Sequence, residues 1–332
     1  MKGGIAVVTG ASGFVGSHLV DALVAAGLPT RALVRETSDT RWLPDAAERR
    51  VASVDDEDAL GRVVRDANVV FHLAAVTSAA RGAAYSRTNV EGTRRVLDAV
   101  HRWAPEARVV LCSSLAAIGP ARSEHPLNEN DAPAPVSAYG RSKLESERLA
   151  DAFAAARGSD IVIVRPGAVY GPRDRDILAA FRLASRGLAL RLPSPNQRLA
   201  MIHAADLARA LVLAAQCARR SEGVARRYHL SDGTIPTWAS VNAAIAAAVD
   251  RPVRTVRIPR LIALAVAEMN TLMARVGQFK PLLTRDRIAE LAATDWSCDI
   301  TRARHELGFA PSIPLTEGMR ETARWYRAQG WL

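Results

Sequence analysis

The chain has 332 residues, enough to bury a sizeable core in one large domain or two fused ones. Its residues are 49% apolar and 23% charged, a balance that excludes disordered and fibrous classes and fits an ordinary globular protein. The net charge of +10 is almost wholly arginine, because only Lys2, Lys143 and Lys280 are lysines, and the arginines are scattered along the chain without a nucleic-acid reading module. A nucleic-acid partner is therefore not expected, although a basic surface still favours anionic substrates or lipid headgroups.

Cys112, Cys217 and Cys298 are few, odd in number and far apart, which argues against a disulfide framework or a zinc site and for a reducing compartment. None of the seven histidines forms a metal-ligand cluster at recognisable spacing, so no metal is expected. The first residues lack the apolar core and cleavage site of a signal peptide, and no apolar run reaches transmembrane length. These features predict a cytoplasmic enzyme.

The first predicted strand is Ile5–Thr9, and an amphipathic helix is expected over 14–26. Between them lies Thr9-Gly10-Ala-Ser12-Gly13-Phe14-Val15-Gly16, a GxxGxxG spacing in a strand–turn–helix context. Gly10 permits a tight turn, Gly13 a close backbone approach to a pyrophosphate, and Gly16 close packing of helix on sheet. The helix N-terminus adds unpaired N–H groups and a partial positive charge for phosphates.

The second predicted strand, Thr30–Val34, ends beside Arg35, where an enzyme preferring NAD usually carries an acid for the ribose hydroxyls. A guanidinium there pairs instead with a 2′-phosphate, which favours NADP, while Glu36 one residue on keeps NAD open. Further strands are predicted at Val69–Leu73, Val109–Cys112 and Ile161–Val164, with helices near 57–66, 86–103 and 138–157. Strands apolar on both faces and alternating with helices predict an α/β fold, a Rossmann-type doubly wound parallel sheet. The proline-rich stretch Gly119–Val136 reads as a long loop.

Ser114 follows the strand Val109–Cys112, where an open parallel sheet presents side chains to its ligand crevice, with Ser113 as the adjacent alternative. Tyr139-Gly-Arg-Ser-Lys143 places a phenol and an ammonium four residues apart on one helix face. Composition alone predicts only about 0.05 such pairs in the chain. A phenol is a poor base near neutrality, and a neighbouring cation is expected to lower its pKa into the range of general acid–base work.

Beyond Arg165 the pattern loosens, because Pro166, Pro172, Pro193 and Pro195 cut the chain into short pieces. Residues 1–166 are expected to form the dinucleotide-binding domain, with a late strand near 227–231 returning to it. Residues 167–332 are expected to form mainly a smaller, mostly helical and discontinuous substrate lobe. His203 and His229 read as structural, and the apolar stretch Leu261–Met273 as core, dimer packing, pocket lining or a surface that touches membrane.

Seven blocks together resemble the extended short-chain dehydrogenase/reductase family of nucleotide-sugar epimerases and dehydratases, dihydroflavonol reductases and 3β-hydroxysteroid dehydrogenases. They are Thr9–Gly16, His72–Ala75, Asn89–Thr93, Leu111–Ser114, Tyr139–Lys143, Arg165–Pro172 and Ile202–Asp206. The resemblance implies a catalytic set of Ser114, Tyr139 and Lys143, with Asn89 on the helix behind them. It implies further that Leu73, Ala74 and Ala75 line the cofactor, that Pro166, Ala168 and Val169 meet its nicotinamide end, and that Asp206 caps a helix. Ser53 and Val54 stand where the family often has an Asp–hydrophobic pair that contacts adenine. A homodimer formed through helices near 86–103 and 138–157 is a further implication.

The C-terminal Pro281–Arg285, Asp295–Asp299 and Glu306–Phe309 resemble the reductase and hydroxysteroid-dehydrogenase branch. The resulting expectation is an NADP-dependent carbonyl reductase or secondary-alcohol dehydrogenase acting on a fairly apolar small molecule. An NAD-dependent nucleotide-sugar epimerase or dehydratase, with Arg173, Arg175 and Arg182 gripping a diphosphate, is the alternative. A non-catalytic dinucleotide sensor is the alternative from another class.

Overall fold

The short β-branched runs of the first half are buried on both faces because helices cover both sides of the sheet they form. A computed structural model describes residues 4–78, 83–122, 125–191, 197–219, 223–257, 260–277 and 284–332. In chain order its first half comprises β1 (Ile5–Thr9), α1 (Phe14–Ala25), β2 (Thr30–Val34), β3 (Glu48–Val51), α2 (Glu57–Val64) and β4 (Ala67–His72). Then come α3 (Ala83–Tyr85), a π-helical turn (Ser86–Glu91), α4 (Gly92–Trp103), β5 (Arg108–Cys112), a 3₁₀ turn (Leu115–Ala117), α5 (Ala138–Arg157) and β6 (Ile161–Pro166).

The second half comprises β7 (Ala168–Tyr170), α6 (Leu178–Ser185), β8 (Leu188–Arg191), β9 (Met201–His203), α7 (Ala204–Gln216) and β10 (Arg226–Leu230). It ends with α8 (Trp238–Val249), β11 (Arg254–Arg257), α9 (Arg260–Gly277), α10 (Arg285–Ala292), α11 (Thr301–Leu307) and α12 (Leu315–Ala328). Pro193, Pro195 and Pro281–Leu283, which entered the sequence reading, lie outside the described residues.

Seven strands form one parallel sheet in the order β10-β6-β5-β4-β1-β2-β3. The strand order reverses between β1 and β4, and that switch point is where open α/β sheets bind ligands. The predicted late strand is β10, paired to β6 with Tyr228 opposite Val164. One buried cluster, with Leu19, Val20, Leu207 and Leu211, fills the face under α1 and α7. A second, with Leu60, Val96, Val100 and Ala150, fills the face under α2, α4 and α5. A third, around Tyr170, Phe181, Ile245, Met319 and Tyr326, holds α6, α8 and α12 together.

Two local departures from the sequence reading have physical causes. β3, Glu-Arg-Arg-Val, is exposed along its length and was invisible to hydrophobic periodicity, because an edge strand carries charge against further pairing. The helix expected over 86–103 is interrupted by the π turn. There the Asn89 carbonyl accepts from Thr93 Oγ1 at 2.6 Å and from Ser146 Oγ at 2.7 Å, and this competition widens the turn.

Candidate active site

Gly10 stands at φ +68°, and a Cβ there would lie 2.7 Å from the Ala74 nitrogen. A Cβ on Gly16 would lie 2.1 Å from the Gly10 carbonyl oxygen. Gly13 differs: it is exposed, its nearest obstacle would be 3.1 Å away, and it is the N-cap of α1 without a side chain to cap that helix. Ser12, Phe14 and Val15 complete the half-buried rim, with Phe14 edge-on to His18. A cradle of this kind, at the carboxyl end of β1 and the mouth of a helix, fits the diphosphate of a dinucleotide.

The three glycines therefore fail differently. Gly16→Ala is expected to destabilise the fold by about 1–3 kcal/mol through overpacking against backbone. Gly13→Ala is expected to leave the melting temperature nearly unchanged and weaken dinucleotide binding by at least about tenfold. Thermal melts and calorimetry on the two variants check this, and equal melts with equal affinities would contradict it.

Arg35 follows β2, with its N–H on Ser38 Oγ at 2.9 Å and its carbonyl accepting from Ser38 N at 2.9 Å. That tight turn fixes the backbone while the guanidinium is exposed, with no ion pair among the described residues. Ser53 and Val54 follow β3. Ser53 Oγ accepts from Asp55 N at 3.1 Å, and Val54 packs on the second buried cluster. Leu73, Ala74 and Ala75 leave β4 half-buried, and Leu73 N donates to Thr9 O at 3.2 Å. Pro166 ends β6 buried, Ala168 is exposed and Val169 half-buried.

A buried relay ties these loops together. Thr9 Oγ1 accepts from Ala74 N at 3.2 Å, so its proton goes to His72 Nδ1 at 2.7 Å. Thr93 Oγ1 donates to the Asn89 carbonyl, so it must accept from His72 Nε2–H at 3.1 Å. Burial, reinforced by Lys143, holds the His72 pKa down to about 3, so the neutral Nε2–H tautomer is fixed. Asn89 is wholly engaged: Oδ1 accepts from Val76 N at 2.8 Å, and Nδ2 donates to Val76 O at 3.0 Å and Ser142 Oγ at 2.9 Å. Its side chain joins the β4 loop to α5 and touches no open space.

The structure brings Ser114, Tyr139 and Lys143 together at the carboxyl end of β5. Ser114 caps the 3₁₀ turn by accepting from Ala116 N at 3.1 Å and is hydrogen-bonded to the Tyr139 hydroxyl. Ser113, the alternative, turns the other way and donates to Glu147 Oε1 at 2.5 Å. Gly140 makes the approach possible, since a Cβ there would lie 2.3 Å from the Ala116 carbonyl oxygen. Lys143, one turn further along α5, is buried and donates to the Cys112 carbonyl at 2.8 Å.

The electrostatics correct one expectation. Burial, with the electrostatic influence of Cys112 and Glu290 adding to it, pushes the Tyr139 phenol well above its usual range, against the Ser114 hydrogen bond and Arg287. Burial also pushes the pKa of Lys143 itself down. Tyr139 is thus held as a neutral phenol, an acid rather than a ready base.

Residues that the sequence did not single out complete the site. Tyr85 sets its ring 6.2 Å from that of Tyr139. From α10, Glu290 Oε1 accepts from Ser137 Oγ at 2.7 Å and Asp286 Oδ1 accepts from Ala138 N at 2.9 Å, so that helix roofs the start of α5. No spacing links residues 150 positions apart, and only the fold brings them together.

Asp206 is corrected too. The N-cap of α7 is His203, whose Nδ1 accepts from Ala205 N at 3.3 Å. The Asp206 carboxylate instead holds Ser312 N and Oγ at 2.9 Å and Ile313 N at 3.0 Å. His229 is buried with Nδ1 3.2 Å from the Leu127 carbonyl, a structural role.

A Rossmann sheet with a glycine cradle at its switch point, and a Ser–Tyr–Lys set one strand away, defines an NAD(P)-dependent enzyme of the short-chain dehydrogenase/reductase type. Residues 6–228 match the family described as the NAD dependent epimerase/dehydratase family. The chain belongs to that family. Among its relatives is a ceramide reductase of Caulobacter vibrioides, 32% identical over 99% of this chain and 96% of its own. A 4-hydroxy-2-methyl-3-oxo-4-farnesyl-3,4-dihydroquinoline-1-oxide ketoreductase of Stigmatella aurantiaca is 29% identical over 94% of this chain and 93% of its own. A UDP-glucose 4-epimerase of Thermotoga maritima, solved with UDP-glucose, shares the fold with a TM-score of 0.80 at 22% identity, covering 98% of this chain and 99% of its own.

Proposed function

We propose that the protein is an NADP-dependent reductase of apolar ketones, reversible towards the matching secondary alcohols. The observation that carries this reading is the hydrogen-bonded Ser114–Tyr139 pair, with its phenol kept protonated at the carboxyl edge of the sheet. The dinucleotide, when bound, supplies the hydride that reaches the carbonyl carbon. Gly10, Ser12, Gly13, Phe14, Val15 and Gly16 would hold its diphosphate, Ser53 and Val54 its adenine, and Leu73, Ala74, Ala75, Pro166, Ala168 and Val169 its flanks. Ser114 and Tyr139 together hold the substrate oxygen. Tyr139 gives that oxygen its proton as charge develops there, and the Lys143 ammonium offsets the phenolate left behind.

The substrate class is supported by two relatives matched over nearly their whole length, one named a ceramide reductase and the other a ketoreductase of a farnesyl-bearing dihydroquinoline oxide. The diphosphate-gripping role of three arginines, on which a nucleotide-sugar reading leans, lacks support. Arg182 donates to the Trp331 carbonyl at 3.1 Å, and Arg175 stacks on the Trp331 ring. Arg173 pairs with Asp21 at 2.8 Å through Nη2, while its Nε and Nη1 are buried without a hydrogen-bond partner among the described residues.

Arg35 supports NADP over NAD, since an exposed guanidinium on a fixed turn can take a 2′-phosphate through charge-assisted bonds. Arg35→Asp is expected to weaken NADP⁺ binding by roughly 30-fold, the scale of losing such a bond and adding repulsion. Calorimetry of NADP⁺ and NAD⁺ on cofactor-stripped protein, alongside NADPH-dependent reduction of a panel of apolar ketones, tests both parts. Tighter NAD⁺ binding, or a dinucleotide that cannot be stripped while no ketone is reduced, would move the protein to the epimerase and dehydratase branch.

A further inference from the structure

α9 is an amphipathic helix worn inside out. Leu264, Ala267 and Thr271 share one side of it, and Ala267 and Leu264 pack with Ile288 of α10. On the opposite side Ile262, Val266, Met269 and Met273 recur at helical spacing and are 46–59% exposed, with Leu272 flanking them at 58%. Exposed aliphatic side chains occur singly on most proteins, whereas a continuous stripe of five on one helix marks a contact surface.

The charge along that stretch of sequence is not scattered as it is elsewhere. Residues 251–287 hold eight basic and two acidic residues, a surplus of six within the chain's net +10. Both acids are already engaged: Glu268 pairs with Arg285, and Asp286 accepts from Ala138 N at 2.9 Å. Arg251 and Arg254 are exposed just before the helix. A second copy of this face would bring like charges against each other, whereas an anionic bilayer complements it. Among the described residues no helix is long and apolar enough to cross a membrane, so α9 would lie on the surface of one.

We propose that α9 docks on anionic lipid membrane, setting its apolar stripe among the acyl chains and its flanking arginines on the headgroups. The placement suits the substrate. α10, against which α9 packs, contacts the start of α5 beside Tyr139, so the docked helix is one element away from the reacting phenol. The inference rests on the apolar-ketone reading for its purpose, and its binding readout does not.

Flotation with phosphatidylcholine vesicles, with and without phosphatidylglycerol, reads binding without substrate or cofactor. The protein is expected to float with the anionic vesicles. The Val266→Ser, Met269→Ser, Met273→Ser variant should lose at least about tenfold in binding while reducing a water-soluble ketone at the wild-type rate in vesicle-free buffer. Arg254→Glu, off the helix, should weaken binding to anionic vesicles only. Failure of the wild type to float, or undiminished floating of both variants, overturns the proposal. So does a dimer that the triple variant dissolves, since the stripe would then join two copies. Absence of any ketone reduction would count against the reductase reading alone.

Discussion

Replacing Tyr139 by phenylalanine is expected to lower ketone turnover at least ~100-fold while leaving NADP⁺ affinity within a few-fold. The change is conservative in shape. The ring stays packed 6.2 Å from that of Tyr85, α5 keeps its Ser137 cap, and Lys143 keeps its bond to the Cys112 carbonyl. What disappears is the hydroxyl bonded to Ser114, the acid proposed to protonate a carbonyl oxygen as charge builds on it. Ser114→Ala should cost less, because it removes an orienting bond and leaves the proton source. Single-turnover rates on the two variants test this order, and near-wild-type turnover in Tyr139→Phe would remove the mechanism.

The same phenol sets the sign of the pH dependence. Burial and the nearby Glu290 raise its pKa, so Tyr139 is protonated throughout the neutral range. Reduction consumes that proton and should be flat through neutrality, declining only on the alkaline side. Oxidation of the alcohol needs the phenolate and should climb as pH rises. Initial rates in both directions over a common pH range check this, and a reduction rate that rises with pH would assign the proton to another group.

How much of this could be read from residues alone depended on how local the determining interactions are. The glycine cradle, the β5 serines and the Tyr139–Lys143 spacing were legible because each is fixed by neighbours in sequence within a strand–turn–helix unit. Ser114 was preferred over Ser113 from its place after β5 and the family resemblance, but the physical reason is tertiary: Glu147, 34 positions from Ser113, takes that serine's hydroxyl. The protonation state of Tyr139 was misjudged for a related reason. The cation four residues away is visible in sequence, but the burial and the α10 carboxylate that raise the phenol's pKa are tertiary. Periodicity likewise found the strands of the sheet interior and passed over β3, whose polarity reflects its place at the edge. Leu261–Met273 was apolar on sight, yet only the packing on α10 decided which side of the helix is left uncovered.

Glu147→Leu tests how far stability and site are one structure, and it is expected to destabilise the protein by about 3–5 kcal/mol. The Glu147 carboxylate is fully buried and takes Arg165 Nε at 2.9 Å and Nη2 at 2.6 Å, the Ser113 hydroxyl, and Arg227 Nε at 3.5 Å. Removing it strands the Arg165 guanidinium, whose side chain is only 3% exposed, without a counter-charge. Since domains of this kind are typically stable by about 5–15 kcal/mol, that loss is a large share of the total. The double variant Glu147→Leu, Arg165→Met should recover most of it, because replacing a buried ion pair outright by apolar groups avoids the stranded charge. Chemical denaturation of both variants measures the difference, and a single variant as stable as the double would show that water reaches Arg165. The pair also reaches the chemistry. Glu147 lies one turn after Lys143 and favours its charged form, and it anchors Ser113 next to Ser114. In the double variant, regained stability with turnover still depressed would mean that the buried pair holds the end of β5 and the Lys143 charge in place.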